Sequence, residues 1–187
     1  MEKVGRRRLG ALKRHNANMS SRRFAPLVRT SVRTPWSPVG FVADEDGVVI
    51  ASWFGEPRAS DIAHVDLDSA RKVRHIDGAS DAITAWVEGD IDALLEVPVD
   101  QPGGPFQQQA WAAMRRVTGG TTVSYADLAR MAGNPKAVRA AGTACALNHV
   151  APFVPCHRII HTDGTISAYG FGPDLKVLLL EHEGALL

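Results

Sequence analysis

The pattern of apolar and polar positions changes near residue 101. Before it, short apolar runs are separated by polar turns, which predicts strands, and after it apolar residues recur at helical spacing. Between the two regions, the stretch Gln-Pro-Gly-Gly-Pro at 101–105 is typical of a loop. We therefore expect two halves of different architecture and no internal repeat.

The first half is predicted to contain a hairpin followed by a helix. The apolar runs 41–43 and 48–54 flank an acidic turn, which is the pattern of two paired strands. Residues 79–95 suit a helix that is interrupted near Gly89. Residues 58–76 are ambiguous.

The second half is predicted to contain one helix and then a helix-turn-helix. Ser124 and Asp127 form a helix-start signature for residues 125–132. Asn134 followed by Pro135 restarts a helix, with the asparagine as cap and the proline at the first helical position. The helix before this pair is indicated by an apolar face made of Phe106, Ala110, Trp111, Met114 and Val117.

The last of these helices, 135–146, is rich in alanine and glycine, so it can approach another backbone closely. That backbone is either a neighbouring helix in the core or a nucleic-acid strand. The pattern alone leaves both interpretations open.

Composition excludes several classes of protein. The 187 residues are 45% hydrophobic and 22% charged, the balance of a soluble globular protein. No apolar run approaches the roughly 20 residues that span a bilayer. The two cysteines, Cys145 and Cys156, are too few for a disulfide scaffold or a cysteine-rich zinc site. We expect a cytoplasmic or nucleoid-associated protein with no membrane contact and no metal.

Charge is distributed unevenly along the chain. Residues 1–33 hold ten Lys/Arg and one acid and suit a flexible basic arm, although a phosphate-binding arm or a natural start at Met19 are alternatives. Residues 34–100, the predicted N-terminal α/β domain, hold four basic and fourteen acidic residues. Residues 101–187 hold seven and five. A polyanion is therefore expected to contact the last region or the arm.

The candidate chemistry lies in the segment VPCHRII, 154–160. A buried cysteine is usually inert, but Cys156 follows a proline and precedes His157, which can take a thiol proton. Neighbouring side chains of a regular strand point to opposite faces. Either the chain turns sharply at Cys156, or a water relays the proton. Glu181 and Glu183 are candidate partners that orient the histidine.

The order and spacing of SYADLARMAGNPKAVRAAG, VPCHRII and LLLEHEG within residues 124–184 resemble the O6-alkylguanine-DNA alkyltransferases, also called methylated-DNA–protein-cysteine methyltransferases. The resemblance covers roughly residues 104–184, with a looser similarity near residues 34–54. It implies an α+β fold, in which a small N-terminal sheet-containing domain precedes a mostly helical C-terminal domain with a helix-turn-helix and an active-site loop. The resemblance implies that this C-terminal domain, 101–187, binds DNA and accepts the alkyl group.

The resemblance also implies a catalytic set. Cys156 matches the cysteine that takes the alkyl group irreversibly, without a cofactor. His157 matches the base that acts through a water, and Glu183 matches the acid that orients it. Asn148 matches the asparagine that braces the turn before the active-site segment.

The implied partner is double-stranded DNA that contains O6-alkylguanine, bound by a monomer through the minor groove with the damaged base flipped out. Tyr125 matches the tyrosine that contacts the flipped guanine, and Arg139 matches the arginine that enters the stack. Lys136, Ala137 and Ala140 on the same helix are assigned to the DNA contact.

The substrate pocket is assigned to Tyr125, Val154, Pro155, Tyr169, Gly170, Phe171 and Lys176. Two positions depart from the family. His149 stands where proline is common, so that turn is expected to be looser, and Phe171 stands where glycine is common and is expected to narrow the pocket.

Three other functions remain open. An alkyltransferase-like protein binds alkylated DNA without efficient transfer, although that class has tryptophan in place of Cys156. A Cys-His-Glu hydrolase would turn over repeatedly, but no glycine-rich nucleophile elbow is present. A transcription factor would read the major groove, but residues 135–146 offer few long polar side chains apart from Lys136 and Arg139.

Overall fold

A four-stranded sheet forms most of the first half of the structure, a computed structural model that describes residues 26–186. Its strands are β1 (Val28–Val32), β2 (Val39–Ala43), β3 (Val49–Phe54) and β4 (Arg71–Lys72). The order is β3-β2-β1-β4, with β2 antiparallel to both neighbours and β4 parallel to β1. Strands β2 and β3 are the predicted hairpin, which is confirmed.

The predicted flexible arm, residues 1–33, is wrong at its C-terminal end, because Val28–Val32 form strand β1. All five residues of β1 pair with β2, whose residues are all buried and whose backbone groups need partners. The polar sequence VRTSV hides this strand, since Thr30 is its single buried residue. Residues 1–25 lie outside the described residues, and with them the remainder of the predicted arm.

The helix predicted over 79–95 is confirmed with its interruption. It consists of α1 (Ala79–Val87) and a short 3-10 turn (Ala93–Glu96). Between them Gly89 has a φ of 106°, a left-handed conformation that favours glycine. Ile83 and Trp86 of α1 are fully buried against the sheet and the second half.

The second half is mostly helical, so the α+β prediction is confirmed. The elements of the second half are α2 (Pro105–Met114), β5 (Val123–Ser124), α3 (Tyr125–Met131), α4 (Val138–Ala146), a 3-10 turn (Cys156–Arg158), β6 (Ile159–Ile160) and α5 (Pro173–His182). Strands β5 and β6 pair in a two-stranded parallel sheet, which connects the start of the helix-turn-helix to the segment after Cys156.

Helix α4 begins three residues later than predicted. The side-chain oxygen of Asn134 accepts the N–H of Lys136 at 3.2 Å, and its carbonyl accepts the N–H of Ala137 at 2.9 Å. Asn134 therefore closes a turn on its own backbone instead of capping a helix at Pro135. Helix α3 is capped as predicted, by reciprocal bonds between Ser124 and Asp127.

The two halves share one hydrophobic core. Phe41 of β2 and Phe153 pack edge to face with ring centroids 5.6 Å apart. Arg115 of α2 donates to the carbonyls of Val97 at 2.9 Å and Phe153 at 3.1 Å, so it joins the halves through backbone groups. None of the helices in residues 26–186 is long and apolar enough to cross a membrane.

Candidate active site and nucleic-acid interface

The chain turns at Cys156, and this turn determines where the side chain of His157 lies. Residues Cys156–Arg158 form a 3-10 turn, and Pro155 before it has φ −82° and ψ 67°. Among the described residues no hydrogen bond joins His157 to the sulfur of Cys156: its Nε2 lies 3.1 Å from Oε1 of Glu183, and its Nδ1 has no hydrogen-bond partner. Of the two candidate acids, Glu183 is buried and Glu181 is exposed.

The sulfur of Cys156 receives a hydrogen bond from Asn148. The Nδ2 group of Asn148 donates to Sγ at 3.2 Å and to the carbonyl of Val154 at 2.7 Å. Cys156 is 7% exposed. Burial raises the pKa of this thiol, and the hydrogen bond from Asn148 and the charge of Lys176 act against that rise.

Glu183 accepts hydrogen bonds from three side chains. Besides His157, Arg158 donates to it through Nε at 2.8 Å and through a terminal nitrogen at 2.9 Å, and Trp86 donates through Nε1 at 3.1 Å. Burial acts to raise the pKa of Glu183, but His157 and Arg158 lower it to about 2. Glu183 is therefore a buried carboxylate anion whose hydrogen-bond donors come from the protein and not from water.

Arg158 links the two halves of the chain through backbone carbonyls. It donates to the carbonyl of Ile91 at 2.8 Å in the first half and to the carbonyl of Val117 at 2.5 Å in the second. An ion pair with Asp92 at 3.2 Å adds to the first contact. The acid of the site is thereby fixed to both halves.

Two polar atoms near the turn have no hydrogen-bond partner among the residues that the structure describes. They are Nδ1 of His157 and the hydroxyl of Tyr169, both buried. The two rings meet edge to face with centroids 6.5 Å apart. The nitrogen of His157 that does not face Glu183 is thus not engaged by another side chain or backbone group of residues 26–186.

Lys176, Tyr125 and Ser167 form a second polar cluster. The buried Lys176 donates to Ser167 Oγ at 2.6 Å and to the carbonyl of Ile159 at 2.5 Å, and Tyr125 donates to the same Oγ at 2.7 Å. Sequence reasoning missed Ser167, because a single serine among polar loop residues gives no signal. Burial lowers the pKa of Lys176 and raises that of Tyr125.

The loop that carries Tyr169, Gly170 and Phe171 is held by the first half. Arg58 donates to the carbonyl of Gly170 and lies 4.3 Å from the centroid of the Phe171 ring. That ring also packs edge to face on Phe54 of β3 at 5.2 Å. A cavity of about 450 Å³ opens on this side of the loop and is not lined by Cys156. Val154 and Pro155, which are assigned to the substrate pocket from sequence, do not line this cavity and are buried.

The helix-turn-helix presents a cationic and partly apolar surface. Lys136 and Arg139 are exposed, and Ala137 and Ala140 are half-buried. Val138 of α4 is 39% exposed. Beneath this surface, a Cβ at Gly142 would lie 4.0 Å from the ring of Tyr125, so α4 crosses closely over that tyrosine.

No group of three or more His, Cys, Asp or Glu side chains within residues 26–186 is placed to hold a metal ion. The histidines outside the site have other contacts. His64 and His149 pack with ring centroids 4.6 Å apart, and His182 contacts Trp36 and Trp86.

Comparison with known proteins identifies similar sequences. A family model described as the DNA-binding domain of 6-O-methylguanine DNA methyltransferase matches residues 105–185. The bifunctional transcriptional activator/DNA repair enzyme Ada of Escherichia coli (strain K12) is 39% identical over 142 residues, which cover 76% of this chain and 38% of Ada. The chain therefore spans well under half the length of that relative.

Other relatives match along most of their length. The methylated-DNA–protein-cysteine methyltransferase of Shigella flexneri is 30% identical over 167 residues, which cover 86% of this chain and 98% of the relative. A crystal structure of the Mycobacterium tuberculosis O6-methylguanine methyltransferase superposes with a TM-score of 0.69 at 28% identity, covering 85% of this chain and 93% of that chain. The crystal structure of the protein from that organism in complex with DNA gives 0.66 at 29% identity, covering 83% and 92%.

Proposed function

The chain belongs to the family of methylated-DNA–protein-cysteine methyltransferases, and from this premise we propose that it repairs alkylated DNA by taking the alkyl group onto Cys156. The substrate is guanine alkylated at O6, with thymine alkylated at O4 as a second candidate base. Each molecule reacts once, because the thioether that forms cannot ionise and the thiol is not regenerated.

One observation carries this proposal: the sulfur of Cys156 accepts a hydrogen bond, and the next residue, His157, is paired with a buried carboxylate. Asn148 donates to the sulfur of Cys156 at 3.2 Å, and behind the turn His157 is oriented by Glu183 at 3.1 Å. A free thiol is mostly protonated at neutral pH, so alkyl acceptance requires both a base and a group that stabilises the thiolate. The site holds a candidate for each.

The transfer is an in-line displacement at a saturated carbon. The thiol proton passes through a water to Nδ1 of His157, whose other nitrogen faces Glu183. The thiolate sulfur then bonds to the alkyl carbon while the bond from that carbon to guanine O6 breaks. The electron pair of that bond stays on the base, which takes up a proton and is restored as guanine.

Binding places the damaged base beside the thiol. Helix α4 enters the minor groove, where Ala137 and Ala140 permit close approach to the sugar–phosphate backbone and Lys136 contacts phosphate. Arg139 fills the gap that the flipped base leaves, and Tyr125 contacts the base. Flipping costs a few kcal/mol, less for a poorly paired base, so damaged guanine is favoured over intact guanine. The protein acts as a monomer.

The mass of the intact protein after incubation with an oligonucleotide containing O6-methylguanine tests the proposal. We expect a gain of one methylene group, located on Cys156 by peptide mapping, and no more than one gain per molecule. Binding without a mass gain indicates an alkyltransferase-like protein instead. Repeated turnover of an ester or amide indicates a hydrolase.

A further inference from the structure

Gln101 lies between the two halves of the chain and contacts the turn that carries Asn148. It is buried, with 4% of its surface exposed. The N–H of the preceding Asp100 donates to the carbonyl of Val49 in β3 at 2.9 Å. The side chain of Gln108 in α2 donates to the carbonyl of Gln101 at 2.7 Å. The backbone at residue 101 is therefore held from both sides, and its side-chain amide projects from a fixed position.

The amide of Gln101 makes one accepting and one donating bond to consecutive residues. Its Oε1 accepts the backbone N–H of His149 at 2.8 Å, and its Nε2 donates to Oδ1 of Asn148 at 3.1 Å. A backbone N–H can only donate. The oxygen of the Gln101 amide must therefore face His149, which leaves its NH₂ group facing Asn148.

The same constraint passes through Asn148 to the sulfur. Oδ1 of Asn148 accepts from Gln101 and from the N–H of Val150 at 3.2 Å. With its oxygen occupied on that side, the amide presents its NH₂ group to the carbonyl of Val154 and to Sγ of Cys156. A hydrogen-bond donor beside sulfur favours the thiolate over the thiol.

We propose that Gln101 is a positioning residue for the acceptor cysteine: together with the N–H of Val150 and the carbonyl of Val154, it holds the Asn148 amide so that a donor, and not an oxygen, faces the sulfur of Cys156. The inference deepens the proposed function and rests on it for the identity of the acceptor. It also explains how a residue other than proline serves at position 149. A proline there would have no N–H to orient Gln101, whereas the N–H of His149 braces the turn with a hydrogen bond to Gln101.

Gln101→Glu reverses the pattern with little change in size. A carboxylate still accepts the N–H of His149, but its second oxygen faces Oδ1 of Asn148, and two acceptors repel. This repulsion displaces the Asn148 amide and weakens the hydrogen bond from its Nδ2 to the sulfur. We expect reaction of Cys156 with iodoacetamide, in which sulfur displaces iodide, to fall about tenfold at neutral pH, with its rise with pH moved up by about one unit.

The measurement is the rate of mass gain of the intact protein across a pH series. Cys145→Ser in every variant leaves Cys156 as the thiol that reacts. Gln109→Glu is the matched control, because it places the same charge on an exposed side chain of α2 that contacts neither Gln101 nor Asn148. Its pH profile should match that of the unaltered site. Coinciding profiles for the two glutamate variants would overturn the proposal, since charge alone would then explain any change.

Gln101→Leu provides a second comparison that does not depend on the folding of the glutamate variant. It removes both bonds without reversing their polarity, so Asn148 remains oriented by Val150 and Val154. We expect a slower reaction than in Gln109→Leu and a faster one than in Gln101→Glu. Equal rates for the two leucine variants would contradict a positioning role.

Failure of the proposed function is distinguishable from failure of this inference. A protein that reacts with iodoacetamide but takes nothing from O6-methylguanine DNA contradicts the repair function, whereas the iodoacetamide profiles still decide the role of Gln101. If transfer from DNA does occur, we expect Gln101→Glu to slow it by about the same factor as the iodoacetamide reaction. Unchanged transfer would count against the inference.

Discussion

Glu183 shows how much of the site depends on one buried charge. Its carboxylate receives donors from His157, Arg158 and Trp86, and Arg158 is itself buried and fixed to both halves. Removing such an acid takes the buried ionic partner from Arg158 and leaves it the partly exposed Asp92, and breaking a buried pair costs about 3–5 kcal/mol. Glu183 therefore serves both the proposed proton relay and the stability of the fold. Loss of function in a Glu183 variant must accordingly be separated from loss of stability.

Acid should reveal this dependence. The pKa of Glu183 is lowered from 4.5 to about 2 in the folded protein, because His157 and Arg158 outweigh the opposing effect of burial. A lowered folded-state pKa stabilises the fold above the unfolded value, and this contribution is lost as the pH falls. Between about pH 6 and about pH 3 the loss is about 2 kcal/mol. Urea unfolding across this range should show it in the wild type and in exposed Glu181→Gln, but not in Glu183→Gln.

Cys156→Ala should abolish transfer and leave binding of alkylated DNA intact. The thiol is small and 7% exposed, so it contributes little surface to the DNA contact. Binding is measured by fluorescence anisotropy, and transfer by the mass of the protein, with Cys145→Ala as the matched control that retains both. Loss of binding together with transfer would assign Cys156 a structural role.

Local signals identified part of the site, and long-range contacts supplied the rest. Cys156, His157 and Glu183 were found because their motifs keep order and spacing. Trp86 and Gln101 were not, since they meet Glu183 and Asn148 across 97 and 47 positions of sequence, and neither residue type is distinctive for this chemistry. Their roles follow only from the fold that brings them to the site.

At the scale of elements, helix α4 is the element that we expect to contact DNA. Arg139→Ala should weaken binding of DNA and slow transfer together, because the proposed stacking in place of the flipped base is lost; cation–π stacking of this kind is worth about 1–2 kcal/mol. Binding anisotropy and single-turnover transfer measure the two effects. Arg130→Ala on α3, an exposed residue paired with Asp127, is the control. Unchanged kinetics for Arg139→Ala would remove it from base extrusion.

Elements with local start and stop signals were predicted well. The cap of α3 by Ser124 and the break after α1 at Gly89 depend on neighbouring residues, so sequence alone locates them. Strand β1 and the start of α4 were misjudged for a physical reason. The partner of β1 is a strand elsewhere in the chain, and Asn134 can close a turn as readily as it can cap a helix.

At the scale of the whole molecule, charge is separated along the sequence. Residues 34–100 are strongly acidic, and residues 1–33 are strongly basic. Deleting residues 2–18 should reduce the salt dependence of DNA affinity if these residues contact phosphates, since each neutralised phosphate adds about 0.9 to the slope of log K against log salt. Titrations at several salt concentrations measure this slope. An identical slope would make the segment passive in binding.

The hydrogen bonds that cross between the halves set a limit for protein engineering. Residues 105–185 correspond to the recognised family module, yet Trp86, Ile91 and Gln101 lie before it and contact Glu183, Arg158 and Asn148. A chimera cut at residue 105 would inherit Cys156 without the residues that contact Glu183, Arg158 and Asn148 from the first half. The smallest transplantable unit therefore starts no later than Ala79, at the first residue of α1.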